Sequence, residues 1–165
     1  MRALVVYESM FGNTAKIAEA VADGLSTGAE VTLLHVADAP ADVPPDVDVV
    51  VVGGPTHTFT MSREATREEA ARRGGDRTPG GIREWLQDLP TGGHPQDFAA
   101  FDTRVNMPLL PGAASHSATR LARKRGFSVT PPECFLVYGY HGPLISGEVE
   151  RAQQWGRHLS QLLAD

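Results

Sequence analysis

Short apolar runs rich in β-branched residues alternate along this chain with stretches in which apolar residues recur at helical spacing. Residues 3–7, 30–36 and 47–52 have the continuous apolar character of strands that are buried on both faces. From Thr14 to Leu25, apolar residues instead lie three and four positions apart on one helix face. Buried strands that alternate with helices predict a parallel sheet with right-handed crossovers.

The same patterns divide the rest of the chain. Two more strands are expected, over 98–101 with a possible extension to 105, and over 127–140 at a sheet edge, because Pro131-Pro132 interrupts it. Four more helices are expected, over 61–73 with a cap at Ser62, 82–89, 112–125, and 146–163 with a cap at Ser146 and Val149 in its buried stripe. The expected architecture is a single α/β domain over 1–165, a three-layer α-β-α sandwich around a five-stranded parallel sheet.

The loop between the first strand and the first helix is rich in small and hydroxyl residues. Because the first N–H groups of a helix lack intrahelical partners and the helix dipole is positive there, this end attracts anions. Ser9, Gly12, Asn13 and Thr14 would let the backbone wrap around a phosphate. Neither a Walker-type nucleotide loop nor a G-x-G-x-x-G fingerprint occurs. An ordinary strand–turn–helix corner is the alternative interpretation.

The run V-V-Y-E-S-M-F-G-N-T resembles the phosphate loop of the flavodoxins, a Thr/Ser-x-Thr-Gly-x-Thr run after the first strand. Ser9, Gly12 and Thr14 match it, and Phe11 stands where the family usually has a threonine. The resemblance implies a short-chain flavodoxin with sheet order 2-1-3-4-5, FMN as its cofactor, and electron transfer as its role. It also implies cofactor contacts from the whole loop: Ser9, Met10, Phe11, Gly12, Asn13 and Thr14.

Two later loops fall where flavodoxins contact the flavin ring. The run Gly53-Gly54-Pro55-Thr56-His57-Thr58-Phe59 resembles the family's G-x-P-T-x-x-aromatic loop, which implies ring contacts from Pro55, Thr56, His57, Thr58 and Phe59. The third loop diverges, because the segment from Asp102 to Met107 lacks the aromatic ring usual in the family. Asp102 and Arg104 are the expected contacts there, unless Arg104 pairs with Asp102 or reaches solvent.

Composition and charge exclude several other classes of protein. The chain has 165 residues, a formal net charge of −5 and 41% hydrophobic residues, which indicates a soluble globular domain and argues against nucleic-acid binding. No apolar run approaches the roughly 20 residues that span a bilayer, and no leader precedes the first strand, so a cytoplasmic location is expected. The single Cys134 rules out an internal disulfide, and the six histidines lack zinc-site spacing.

Three functions remain open. An FMN-binding electron carrier with redox partner proteins is favoured. An FMN-dependent NAD(P)H reductase of quinones or other small acceptors would use His57, Tyr140 or His141 as acid or base, so the enzyme question stays open. A binding or regulatory module that has lost its flavin is the third. The segment 61–81 is longer than a minimal flavodoxin needs and is hypothesised to be a lid or a partner surface, with its arginines in a solvated, ion-paired face.

Overall fold

Seven strands and five helices make up the computed structural model, which describes residues 1–164. The strands are β1 (Arg2–Tyr7), β2 (Glu30–His35), β3 (Val49–His57), β4 (Thr60–Met61), β5 (Asp97–Val105), β6 (Ser128–Val129) and β7 (Glu133–Val137). The helices are α1 (Asn13–Leu25), α2 (Glu64–Arg72), α3 (Ile82–Asp88), α4 (Ala114–Lys124) and α5 (Glu148–Leu162), and a 3-10 turn spans Val36–Asp38.

The sheet is parallel and runs in the order β2-β1-β3-β5, with β6 and β7 both pairing with the outer side of β5. Because β6 and β7 are the two pieces of one interrupted edge strand, the order matches the expected 2-1-3-4-5. The residues between them include Pro131-Pro132, which cannot donate to a ladder. The short β4 forms an antiparallel hairpin with β3 and is the one strand that the sequence did not predict.

Two apolar cores cover the two faces of the sheet, because alternate side chains of a strand point to opposite sides. Val50 and Val52 contribute to the core under α3 and α4, and Val49 and Val51 to the core under α1 and α5. Helices α1 and α5 approach closely where two glycines meet. A Cβ on Gly24 would lie 2.1 Å from the carbonyl oxygen of Gln153, so the contact leaves no room for a side chain.

The strands β3 and β5 extend further than their apolar runs predict. Strand β3 continues through Gly53–His57, which was expected to be a loop, and β5 continues to Val105. Gly54 pairs with Asp102 and Pro55 pairs with Thr103, so both segments belong to the sheet. Gly53 leaves room for the ring of Phe101 in this region, because a Cβ there would lie 1.9 Å from Cζ of Phe101.

Two predicted helix caps are wrong. Helix α2 follows Arg63, and the hydroxyl of Ser62 donates to Glu8 instead of capping the helix. Helix α5 follows Gly147, which has a φ of +92°, and not Ser146. Val149 is 41% exposed and therefore lies outside the buried stripe of α5. In the part of the chain that the structure describes, no helix is long and apolar enough to cross a bilayer.

Candidate functional site

A cleft opens at the edge of the sheet where β1, β3 and β5 end. Nine of the thirteen residues predicted as cofactor contacts line it: Ser9, Met10, Phe11, Asn13, Thr14, Pro55, Thr56, His57 and Arg104. The remaining lining residues are Thr103, Val105, Val137 and Tyr140. Among the predicted contacts, Gly12, Thr58, Phe59 and Asp102 do not line this cleft.

The N-terminus of α1 forms one end of the cleft. Gly12 precedes the helix with a φ of +88°, a conformation that glycine adopts without strain, and its N–H donates to Oγ of Ser9 at 3.2 Å. No side chain caps this end of α1, and its first turn contains no acidic residue. The first turn of the helix therefore keeps N–H groups available for an anion in the cleft.

Hydroxyl and amide side chains connect this loop to neighbouring segments. Oγ1 of Thr14 lies 2.7 Å from Oγ1 of Thr103, which joins the start of α1 to β5 through two buried hydroxyls. Nδ2 of Asn13 donates to the carbonyl oxygen of His141 at 3.1 Å. A Cβ on Gly142 would lie 2.5 Å from the same Nδ2, so the segment after β7 packs directly onto the loop.

An aromatic cluster forms around Phe11, the residue that replaces the family's usual threonine. The Phe11 ring contacts the rings of His141 and Tyr140 edge-on, with centroids 4.6 and 5.5 Å away. The Arg73 guanidinium lies 4.4 Å from the centroid of the Tyr140 ring, and Nε2 of His141 lies 2.8 Å from the carbonyl oxygen of Arg73. Phe11 thus packs between the segment after α2 and the segment after β7.

His57 lies at the end of β3, within the hairpin that β4 completes. Its Nδ1 lies 3.0 Å from Oγ1 of Thr66, which fixes the ring from the α2 side. Burial, together with the nearby positive charge of Arg67, lowers the pKa of His57 to about 4. The imidazole is therefore neutral at pH 7, and it presents a polar but uncharged group to the cleft.

Thr58 and Phe59 form the tight turn between β3 and β4, with φ angles of +49° and +66°. Neither residue lines the cleft, and the Phe59 side chain is 46% exposed. The turn is held from the other side by Gly112, where a Cβ would lie 2.5 Å from the carbonyl oxygen of Phe59. An aromatic contact from Phe59 to a flavin ring stays a prediction.

Asp102 is fully buried beneath the N-terminus of α4, away from the cleft. Its Oδ2 accepts a hydrogen bond from the backbone N–H of Ser115 at 2.9 Å and one from Sγ of Cys134 at 3.4 Å, while Oδ1 has no partner among the described residues. Burial raises the pKa of this carboxyl group. Arg104 makes no ion pair with Asp102 in the described part of the chain, and it lines the cleft instead.

A second buried carboxylate, Glu8, lies at the end of β1 and anchors the segment around α2. One of its oxygens accepts from the backbone N–H of Ile82 at 2.9 Å, and the other accepts from the Ser62 hydroxyl. Nη1 of Arg67 donates to Oγ of Ser62 at 2.9 Å, and the Arg67 guanidinium also pairs with Glu84. Burial raises the pKa of Glu8.

The prediction of a solvated arginine face is wrong for Arg67, which is 6% exposed. It holds for Arg72 and Arg73, which are exposed and pair with Glu69. The segment 61–81 is therefore fixed to the sheet through buried polar contacts, and it also donates the Asp76 N–H to the carbonyl oxygen of Met10 at 2.8 Å.

Comparison with known proteins gives the family to which this chain is similar. The flavodoxin family model matches residues 5–78, which is less than half of the 165-residue chain. No curated protein sequence matches the chain. The resemblance drawn from the first loop is thereby confirmed.

Three solved flavodoxins are similar over nearly their whole length. The first, from the domain Archaea, is 22% identical with a TM-score of 0.69, and the match covers 100% of both chains. Oxidised flavodoxin 1 from Bacillus cereus is 15% identical with a TM-score of 0.71, and the match covers 98% of each chain. Two-electron reduced flavodoxin from Megasphaera elsdenii is 15% identical with a TM-score of 0.62, over 96% of this chain and 98% of that one. At these identities the likeness concerns the flavodoxin fold, which is the predicted one.

Four residues that line this flavodoxin-like cleft were not predicted from the sequence as cofactor contacts, although Tyr140 was considered as an acid or base. Thr103 and Val105 were missed because residues 102–107 were treated as a loop, although an extension of the fourth strand to 105 had been left open. Since side chains alternate along a strand, extending it would have placed Thr103 on the face opposite Asp102. Phe101 indeed packs on the α1 side with Thr103, and Asp102 faces α4. The sequence around Val137 contains no motif that would indicate a place in the cleft, because that place depends on the pairing of Val137 with Val105.

Proposed function

We propose that this chain binds FMN in the cleft and acts as an electron-transfer protein. The observation that supports it most strongly is the uncapped N-terminus of α1, which opens into the cleft between Ser9, Asn13 and Thr14. A phosphate monoester fits such an end because helix N–H groups and neutral side-chain donors stabilise its charge without a lysine or a metal. When bound, FMN supplies one- and two-electron chemistry, and the protein supplies binding, orientation and electrostatics.

The residues expected to lie beside the flavin ring would have different roles. The Thr56 side chain is already used within the protein, because its Oγ1 accepts the backbone N–H of Ala114 at 3.0 Å. His57 would offer a neutral hydrogen-bonding group whose protonation does not change near pH 7. Arg104 would place a positive charge beside the cleft, and this charge favours the more electron-rich state of a bound ring. We therefore expect a less negative reduction potential than an acidic third loop would give.

Titration of the apo-protein with FMN and with riboflavin, followed by flavin fluorescence quenching, tests this proposal. We expect saturable quenching by FMN at sub-micromolar concentration and at least about tenfold weaker binding of riboflavin, which lacks the phosphate. A double variant, Ser9→Ala/Thr14→Ala, should weaken FMN binding and leave riboflavin binding little changed. Ser26→Ala is the matched control, because its exposed hydroxyl bonds to Asp23 at the other end of the same helix.

Two outcomes would contradict the proposal. Equal binding of FMN and riboflavin would remove the phosphate role of α1. No quenching by tens of micromolar FMN would leave a flavin-free binding module as the function of this fold. Steady NAD(P)H oxidation by the loaded protein with a quinone would instead favour the reductase. A cytoplasmic location and redox partner proteins, both expected from the sequence, stay predictions.

A further inference from the structure

The positive charges of this acidic chain are unevenly distributed. Residues 103–132 contain five of the 15 Lys and Arg residues and none of the 20 Asp and Glu residues. This segment therefore carries a formal charge of +5 within a chain whose net charge is −5. Four of its five cations lie within or directly after α4, so the excess is local and not spread along the segment.

The basic residues of α4 share its solvent face. The other face is buried against the sheet through Ala114, Ala118 and Ala122. Exposed side chains then recur three or four residues apart, which places them in one strip of about 12 Å along the helix. We call this strip the α4 basic face, and it consists of His116, Arg120, Arg123 and Lys124.

The cations of this strip have no ion-pair partner in the part of the chain that the structure describes. Among residues 1–164, no side chain of the α4 basic face takes part in an ion pair or a hydrogen bond. The helix dipole stabilises the positive charges of Arg123 and Lys124, which lie in the last turn. It does not explain the presence of Arg120, or of His116 in the first turn. Like charges at this spacing destabilise a helix, and they lie within the screening length of about 8 Å at physiological salt, so they act together.

An apolar tip adjoins the N-terminal end of this helix. Leu109 is 98% exposed and has a φ of +59°, a strained conformation for a leucine, and Met107 is 57% exposed. Both belong to the short connection from β5 to α4, and β5 ends at the cleft. We take the tip and the α4 basic face together as one candidate surface, with the apolar tip shortly before the first turn of α4 and the positive strip along the helix.

We propose that this surface binds an acidic protein partner, with an apolar side chain of the partner on the Met107–Leu109 tip and its carboxylates along the α4 basic face. A protein surface fits better than a nucleic acid, because a long polyanion would also meet the excess of carboxylates on the rest of the chain. Charge complementarity at such a site steers association and fixes the orientation of the partner. The inference goes beyond the proposed function, because it needs no bound flavin.

The test uses the purified full chain, with and without FMN, and a fluorescent Glu-rich peptide of about 12 residues with two central leucines as the probe. The triple variant Arg120→Gln/Arg123→Gln/Lys124→Gln should weaken peptide binding by about tenfold or more. The matched control, Arg72→Gln/Arg77→Gln/Arg157→Gln, changes the net charge equally at three exposed arginines elsewhere and should change affinity by less than about twofold. Leu109→Asn should also weaken binding, although asparagine tolerates the positive φ better.

The outcomes separate the surface from its alternatives. Equal losses of peptide affinity in the two triple variants would show that the effect comes from net charge alone, and they would overturn the proposal. A DNA duplex or an anionic lipid vesicle that binds more tightly than the peptide, through the same three cations, would overturn the choice of a protein partner. Unchanged peptide affinity in Leu109→Asn would remove the apolar tip from the surface. Because FMN titration is read separately, failure here leaves the proposed function untouched.

Discussion

The regions around Glu8 and Asp102 each bury a carboxylate within the protein, but they surround it with different groups. Glu8 directly follows β1, and Asp102 lies within β5. Each carboxylate is 0% exposed and accepts the backbone N–H of a residue at the start of a helix, Ile82 of α3 or Ser115 of α4. Burial raises the pKa of both groups. The two sites lie on strands that flank β3, on the same face of the sheet.

The two sites differ in the hydrogen-bonding and charged groups that surround each carboxylate. Both oxygens of Glu8 accept hydrogen bonds, and the Arg67 guanidinium beside it bonds to Ser62 and Glu84. Among the described residues, one oxygen of Asp102 has no partner, and the other accepts from a thiol, which is a weak donor, besides the N–H of Ser115. A buried charge is stabilised only where cations and hydrogen bonds compensate its desolvation. The Glu8 region should therefore depend on its network, whereas the charge of Asp102 should contribute little or even reduce stability.

Removing the cation of the Glu8 network should have the largest effect. Arg67→Met leaves the Ser62 hydroxyl without its buried donor, breaks the ion pair with Glu84 and removes the positive charge near Glu8. We therefore expect a loss of about 3–5 kcal/mol in the free energy of unfolding. Urea denaturation at pH 7 measures this loss. Arg72→Met is the control, because Arg72 pairs with Glu69 on the surface and its loss should change stability far less. Similar losses in the two variants would show that the buried network is not a stabilising unit.

The charge of Arg67 should also be detectable at His57, on the cleft side of the network. Since the pKa of His57 is lowered to about 4, the unfolded chain binds a proton below pH 6.5 that the folded chain does not take up until about pH 4. Stability from the neutral imidazole is complete above pH 6.5 and should fall by about 3 kcal/mol as the pH decreases to 4.

His57→Gln should remove that part of the pH dependence, while His158→Gln, at an exposed position of α5, should leave it in place. NMR titration of the His57 ring gives the pKa directly. In a folded Arg67→Met protein at low denaturant, this pKa should move upward, because the repulsion from the guanidinium is gone. A His57 pKa near 6.5 in the unaltered chain would contradict both expectations.

The comparison also separates what the sequence could predict from what it could not. The strands and helices follow from local signals, because continuous apolar runs and helical periodicity each identify an element without knowledge of its neighbours. The order of the strands in the sheet came instead from the resemblance to the flavodoxins. The Ser62 cap and the exposure of Arg67 were mispredicted for the opposite reason. The partner of Ser62 is Glu8, which lies 54 residues earlier in the chain, and this distant acceptor competes with the local cap. Arg67 is buried because it bonds in turn to Ser62 and Glu84. Asp102 was assigned to the cleft because it was placed in a loop after the fourth strand, although an extension of that strand to 105 had been left open. One residue of alternation decides which face of the sheet it occupies.

Neutral isosteres of the two carboxylates give the smallest effect and the most direct comparison. Glu8→Gln keeps an acceptor for Ile82 but leaves the Ser62 proton without an acceptor, so we expect a loss of about 1–3 kcal/mol at pH 7. Asp102→Asn keeps an acceptor for Ser115 and removes a buried charge, so its stability at pH 7 should be equal to or greater than that of the unaltered chain.

The sign of the pH dependence tests the second expectation. Because the folded pKa of Asp102 is raised, the folded chain holds a proton there that the unfolded chain has released, and stability decreases as the pH rises through that interval. Asp102→Asn lacks this decrease, so its advantage should grow from pH 4 to pH 7 in parallel urea titrations. If the variant instead loses stability toward pH 7, then the ionised carboxylate of Asp102 stabilises the start of α4, and the orphaned oxygen has a partner in solution.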